Sequence, residues 1–129
     1  MIPDFTRVTR RPTPEELLAQ LCEFLPGFGA AWRDSLFVGE DGSFTVHGVF
    51  SEFSSYVRDH FPEFGEHTWS ELFVYVERCV ATDKHSENGV SNAACTCFLE
   101  NIAGEGELSR VVSPYLGPES RKYFDQWNG

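Results

Sequence analysis

The densest run of chemistry-bearing side chains is Asp59-His60-Phe61-Pro62-Glu63-Phe64-Gly65-Glu66-His67, with three carboxylates and two histidines. General acid–base catalysis needs two titratable groups held around one substrate. Glu63, His60 and His67, with Glu100 further along, are the side chains an unrecognised helical enzyme would use. Their spacing matches no catalytic pattern: H-E-x-x-H is absent, and Pro62 interrupts the run. A solvated helix end and loop is the simpler account. There is no G-x-S-x-G, and no cysteine in a basic, exposed context that favours a thiolate. Neither phosphate-cradling glycine loop occurs, and Glu40-Asp41-Gly42 has the composition of a turn rather than of a calcium loop. Zinc would require Cys79, His85 and Cys95 or Cys97 to converge without any C-x2-C or H-x3-H pair. The simpler reading makes Cys22, Cys79, Cys95 and Cys97 small buried hydrophobes. These residues imply no enzyme: no catalytic residue, no metal and no cofactor.

Charge is more informative. Between Thr13 and Ser109 there are 17 Asp and Glu against four basic residues, Arg33, Arg58, Arg78 and Lys84, a balance of −13 within a chain of net charge −10. Such a field repels nucleic acid and anionic membrane and attracts basic protein surfaces. Arg7, Arg10 and Arg11 form only a small cluster, too short for a nucleic-acid stripe. If the segment were one helix, Glu52, Asp59, Glu63 and Glu66 would fall within about 60° of each other. Pro62 breaks that ideal, but Glu52 and Asp59 still share a side opposite Phe50, Phe53 and Val57. Nearby loops add Glu40, Asp41, Asp83 and Glu87, which completes the candidate partner-binding set. Any one of these is ordinarily a solvated surface residue. Their clustering matters more, because interspersed charge would give solubility without the self-repulsion.

The elements that must position these groups read as helices. Thr13-Pro14-Glu15-Glu16 is a capping box with Pro at the first helical position, opening a helix with Leu17, Leu18, Leu21, Phe24 and Leu25 that stops before Pro26. Phe28, Trp32 and Leu36 recur at four-residue intervals in a second short helix, ended by the turn Gly39-Glu40-Asp41-Gly42. Phe44, Val46 and Gly48 alternate as a strand would, yet Val49, Phe50, Phe53, Val57 and Phe61 keep a helical stripe, which predicts a helix from about Thr45 to Phe61. Thr68-Trp69-Ser70-Glu71 reads as a second capping box for a helix with Leu72, Phe73, Val76 and Val80 on one face. In residues 91–103 apolar side chains surround the axis almost completely, as in a buried central helix, with Thr96 and Glu100 as a narrow polar strip. Leu108, Val111 and Val112 make a short helix, and Gly117-Pro118 starts the last, with Tyr123, Phe124 and Trp127. The class is all-α: one domain over residues 1–129, of six or seven short helices packed around residues 91–103, with residues 1–12 a loosely attached basic arm.

With 12 Phe, 3 Trp and 4 Tyr, the chain has ample core material and does not read as disordered. Met1–Arg11 is basic and polar with no apolar run behind it, so no signal peptide is expected. No run approaches the roughly 18 apolar residues that span a bilayer. Together with the scattered cysteines, this predicts a soluble cytoplasmic protein.

Three strings then carry a resemblance: Asn92-Ala93-Ala94-Cys95-Thr96-Cys97-Phe98-Leu99-Glu100-Asn101-Ile102, Glu71-Leu72-Phe73-Val74-Tyr75-Val76-Glu77, and Tyr115-Leu116-Gly117-Pro118-Glu119-Ser120-Arg121. Over roughly residues 45–127 the chain resembles a family of small acidic helical bacterial proteins of unassigned function, often encoded beside polymorphic toxin genes. The resemblance implies an immunity protein and brings no catalytic residues with it. The expected partner is a cognate toxin domain with a basic surface, bound in the cytoplasm with no nucleic acid and no membrane involved; a monomer is favoured, and the sequence leaves the oligomeric state open. The competing expectations are the helical enzyme above and a self-associating helical scaffold. Glu100 and Asn101 interrupt an apolar helix. Buried and paired they are structural; exposed in a groove they become site candidates.

Overall fold

A computed structural model describes residues 12–82 and 89–128 of the chain, with side chains through Gln126. Asp83, Glu87 and His85, the basic arm through Arg11, and the Trp127 side chain therefore lie outside the described residues. Those described form seven helices and no strand, so the class is all-α. Among them no helix is long and apolar enough to cross a membrane.

Helix α1 (Pro14–Phe24) opens on the expected box: Glu16 N donates to Thr13 Oγ1 at 3.1 Å, and Thr13 N donates to Glu16 Oε1 at 2.9 Å. Such a cap contributes about 1 kcal/mol. Leu17 and Leu21 point inward. Helix α2 (Phe28–Arg33) is shorter than the Phe28–Trp32–Leu36 spacing suggests. Asp34 and Ser35 turn the chain, with Ser35 N on Trp32 O at 2.9 Å, and Leu36 ends 97% exposed rather than on the buried stripe. Helix α3 (Val46–His60) settles the strand-or-helix ambiguity as a helix, capped by Thr45 Oγ1, which accepts from Gly48 N at 3.0 Å.

The chain leaves α3 at His60, passes through a 3-10 turn (Phe61–Glu63) around Pro62, and enters α4 (Glu66–Ala81). Two expectations change here. Glu63 and Glu66 are not on α3, so the four-carboxylate face does not form as one helix would make it. The Thr68 capping box is also not used, because α4 starts three residues earlier behind Gly65. Phe64, just ahead of that cap, packs its ring edge-on at 5.3 Å against buried Trp69 in the fourth helical position. That hydrophobic staple fixes the entry and leaves Thr68 inside the first turn.

Helix α5 spans residues 90–103 in three parts: Val90–Ala93 is α-helical, Ala94–Leu99 is a π-turn, and Glu100–Ala103 is α-helical again. Uniform α-helical spacing would put Leu99 about 180° from Val90 and Ile102 about 120°. The π-turn takes up roughly one extra residue, a lag of about 100°, which swings Phe98, Leu99 and Ile102 back toward the side of Val90 and Ala94. All five are fully buried. The helix therefore has one wide buried side and a half-buried strip (Asn92, Cys95, Thr96, Cys97, Glu100, Asn101) rather than an apolar surface all round. Thr96 Oγ1 and Asn101 Nδ2 donate to the carbonyls four residues back, Asn92 O and Cys97 O, at 2.8 and 2.7 Å. Such back-bonding accompanies helix distortion. Phe98, thus aimed, lies between Phe50, Phe53 and Phe73 at centroid distances of 5.8, 5.5 and 5.9 Å, and α5 is the core's centre. It packs against α3, α4 and the last helix.

After α6 (Gly106–Val112) and a 3-10 turn (Ser113–Tyr115), α7 (Pro118–Asn128) closes the fold. Its N-terminus is capped from α4, forty residues upstream in sequence. The Glu77 carboxylate accepts from Glu119 N (3.0 Å), Ser120 N (2.9 Å) and Ser120 Oγ (2.8 Å). A carboxylate there meets both the unpaired N–H groups and the positive end of the helix dipole. Two of the three strings that carry the family resemblance thus meet through Glu77, and the third is α5.

Candidate docking surface

The segment between α2 and α3 is a built turn. Gly39 N bonds Ser43 O at 2.8 Å and Gly42 N bonds Gly39 O at 2.9 Å. Gly42 has φ +85, a left-handed value that favours glycine. Asp41 Oδ1 accepts from Ser43 N and Ser43 Oγ at 2.9 and 2.7 Å. These bonds, the side-chain one first, hold the Asp41 carboxyl below its ordinary value, so it stays ionised. Phe37 N donates to Ser35 Oγ at 3.0 Å, and the Phe37 side chain lies over Gly48 in the first turn of α3. A Cβ at Gly48 would sit 3.0 Å from Phe37 Cβ. Glycine inside a helix costs about 1 kcal/mol relative to alanine, and here it makes room for Phe37.

Gly48, Glu52, Ser55 and Asp59 recur on one side of α3, within about 60° at 100° per residue. The turn that bears Leu36, Phe37, Glu40 and Asp41 therefore sits on the same side of α3 as Glu52 and Asp59, at its N-terminal end. Glu63 and Glu66 lie past its C-terminal end. A 15-residue helix is roughly 22 Å long, so the carboxylates are spread along a strip rather than gathered at a point. Glu40, Asp41, Asp59, Glu63 and Glu66 are exposed, and Glu52 is half-buried. Among the described residues, no ion pair involves Glu40, Asp41, Glu52, Asp59 or Glu66. Glu63 accepts from His60 Nδ1 at 3.2 Å. Sequence reasoning missed Leu36 and Phe37 as surface residues by extending the α2 stripe through Asp34-Ser35, a pair that favours turns over helix interiors.

Of the groups an enzyme would use, His60 and Glu63 come together, while His67 is engaged by Glu71. His60 stacks on Tyr56 at 4.3 Å and pairs with Glu63, while His67 Nε2 pairs with Glu71 at 3.2 Å in the first turn of α4. Asn101 donates to buried Ser54 Oγ at 3.2 Å as well as to Cys97 O, and Arg58 Nη1 reaches Asn101 O at 3.4 Å. Asn101 is therefore structural. His47 Nε2 lies 2.8 Å from Asn92 Oδ1, beside an open groove of about 440 Å³ with mostly apolar walls including Pro12, Phe44 and Val90. Three further grooves of about 360, 290 and 250 Å³ run beside Arg58, Val74 and Tyr115. None of these four grooves is lined by His60, Glu63, His67 or Glu100.

All four cysteines are free; Cys79 is buried, and Cys22, Cys95 and Cys97 are half-buried rather than fully packed. Burial pushes the Cys79 thiol up to about 12, and burial with the nearby Glu77 charge pushes Cys95 up to about 11. Neither is a thiolate at neutral pH.

Neither the curated proteins nor the solved structures compared with this chain contain a match. A family of unassigned function does match, over residues 18–128. The match begins well before residue 45, where the resemblance in the sequence starts, and so takes in most of α1 and all of α2, which pack against α3. On that match the chain belongs to the family described as Domain of unknown function (DUF7674).

Proposed function

We propose that this chain is a stoichiometric inhibitor: an immunity protein that binds a cognate antibacterial toxin domain in the cytoplasm of the bacterium producing it. Supporting this reading is the strip of carboxylates along α3 and its flanking turns, which are exposed or half-exposed and, Glu63 apart, lie outside ion pairs with described residues. Toxins that act on RNA, DNA or nucleotide cofactors present basic clefts. An acidic strip laid over such a cleft takes the substrate's place, and complementary charge raises the association rate toward 10⁸ M⁻¹s⁻¹ or beyond at low salt. Glu40, Asp41, Glu52, Asp59, Glu63 and Glu66 supply the field, together with Asp83 and Glu87.

The test is co-expression with the neighbouring toxin-domain gene. The chain should restore growth and co-elute with the toxin at 1:1. The triple variant Asp41→Lys, Glu52→Lys, Asp59→Lys should slow association by at least tenfold at low salt while keeping the helical circular dichroism spectrum. Failure of the wild-type chain both to restore growth and to form a complex overturns the proposal.

A further inference from the structure

We infer that Leu36 and Phe37 are the anchor of a protein-docking surface, and that the partner it fits carries an apolar pocket rimmed by lysine and arginine. This inference rests on reading the chain as a binding protein and deepens it by naming the partner's surface chemistry. Leu36 is 97% and Phe37 48% exposed, two adjacent large apolar side chains held out on an ordered turn. The pair is held by Ser35 N on Trp32 O, by Phe37 N on Ser35 Oγ and by Phe37 over Gly48 of α3, and the Gly39–Ser43 and Gly42–Gly39 bonds close the turn that follows it. The core gains nothing from Leu36, yet the bonds of Ser35 and Phe37 on either side of it hold this apolar group in water. Preformed display of this kind removes ordering cost at the moment of binding.

Charge says what covers it. From Asp34 to Val57 there is no lysine or arginine, while Asp34, Glu40, Asp41 and Glu52 lie on the turn or on the side of α3 that it meets. An anchor within a carboxylate rim has the anatomy of a binding hot spot, with a desolvated apolar centre and polar surroundings that exclude water and set charge specificity. A second copy of this chain would bring the same carboxylates face to face, and an anionic lipid surface would be repelled. A basic protein surface with an apolar hollow satisfies both features.

The experiment uses the immobilised full-length chain and a displayed library of random twelve-residue peptides. Selection should enrich peptides that combine lysine or arginine with large apolar residues. Leu36→Ser should weaken the selected peptides about 30-fold, the loss expected when a leucine side chain no longer becomes buried. Raising sodium chloride from 0.05 to 0.5 M should weaken them at least tenfold. Leu36→Ser should leave the urea midpoint unchanged, and Val74→Ser, which removes an exposed apolar residue on α4, should leave binding unchanged. An absence of enrichment, peptides without basic residues, or Leu36→Ser binding within twofold of wild type each overturn the inference. Peptide selection that succeeds beside failed toxin rescue keeps the anchor and removes the inhibitor assignment. Toxin rescue and toxin affinity that are undiminished in Leu36→Ser remove the anchor alone.

Discussion

Replacing Gly117 by alanine tests whether α7 is held by a carboxylate from α4. The Cβ would lie 2.5 Å from Glu77 Cδ and Oε1 and 2.6 Å from Cγ, about 1 Å inside ordinary contact. The methyl group cannot be accommodated while Glu77 keeps its three hydrogen bonds to Glu119 N, Ser120 N and Ser120 Oγ. Ser120 is fully buried, so its hydroxyl would lose a partner that water cannot replace. Hydrogen bonds to a charged group are worth about 1.5–3 kcal/mol each and overlap when they share one acceptor group, so losing the cap costs about 3 kcal/mol. Alanine recovers about 0.5 kcal/mol by restricting the unfolded chain. The net loss is about 2.5 kcal/mol. With a urea slope of about 1.5 kcal/mol/M, the midpoint should fall by about 1.7 M. The decisive comparison is a double-mutant cycle. In a Glu77→Ala background, where the carboxylate is already gone, Gly117→Ala should cost less than about 0.5 kcal/mol. Equal costs in both backgrounds would refute the cap as the reason for glycine at 117.

Other consequences are cheaper to check. The Cys79 and Cys95 thiols titrate at about 12 and 11, above their ordinary value of 9.0, so from pH 9 upward the unfolded chain releases protons that the native state keeps. This contribution to stability is complete below pH 9 and is lost as pH rises toward 11–12. The urea midpoint should therefore fall between pH 8 and pH 10.5, and Cys79→Ala should flatten that slope. At pH 8, iodoacetamide should label Cys79 only on the timescale of unfolding. Gly42→Ala, at φ +85 with open space around the new Cβ, should cost about 1 kcal/mol from backbone strain alone, and Gly42→Asn less, by chemical denaturation. Asn101→Ala removes the donor to Ser54 Oγ and Cys97 O and should lower stability by about 1–2 kcal/mol, with no effect on partner affinity.

The helices were legible wherever one local signal ruled. Thr13 and Thr45 have side-chain oxygens that cap their helices, and Pro26 and Pro62 stop them, each through chemistry contained in a few neighbouring residues. Errors arose where two signals competed. Thr68-Trp69-Ser70-Glu71 has the composition of a capping box, but the Phe64–Trp69 ring contact depends on burial that composition does not encode. Leu36 continued a four-residue spacing that Asp34-Ser35 had already ended. Residues 91–103 were readable as the central helix, and their π-turn was not, because no residue type marks the extra residue and its effect shows only in where Phe98 meets Phe50, Phe53 and Phe73 on other helices. The acidic balance was plain from composition. Its arrangement along α3, and the apolar pair at one end of it, required the turn geometry.

The π-turn makes the length of α5 part of its meaning. Deleting one half-buried residue from the turn, such as Thr96, would allow regular α-helical bonding through the segment, and because the π-turn already absorbs one residue it would leave everything downstream at about its present angle. Inserting a residue there would instead turn Ile102 and Ala103 by about 100° out of the interior and take Asn101 away from Ser54. A one-residue deletion on the half-buried strip should therefore be milder than a one-residue insertion, although both keep every apolar side chain. For this helix, counting matters more than composition.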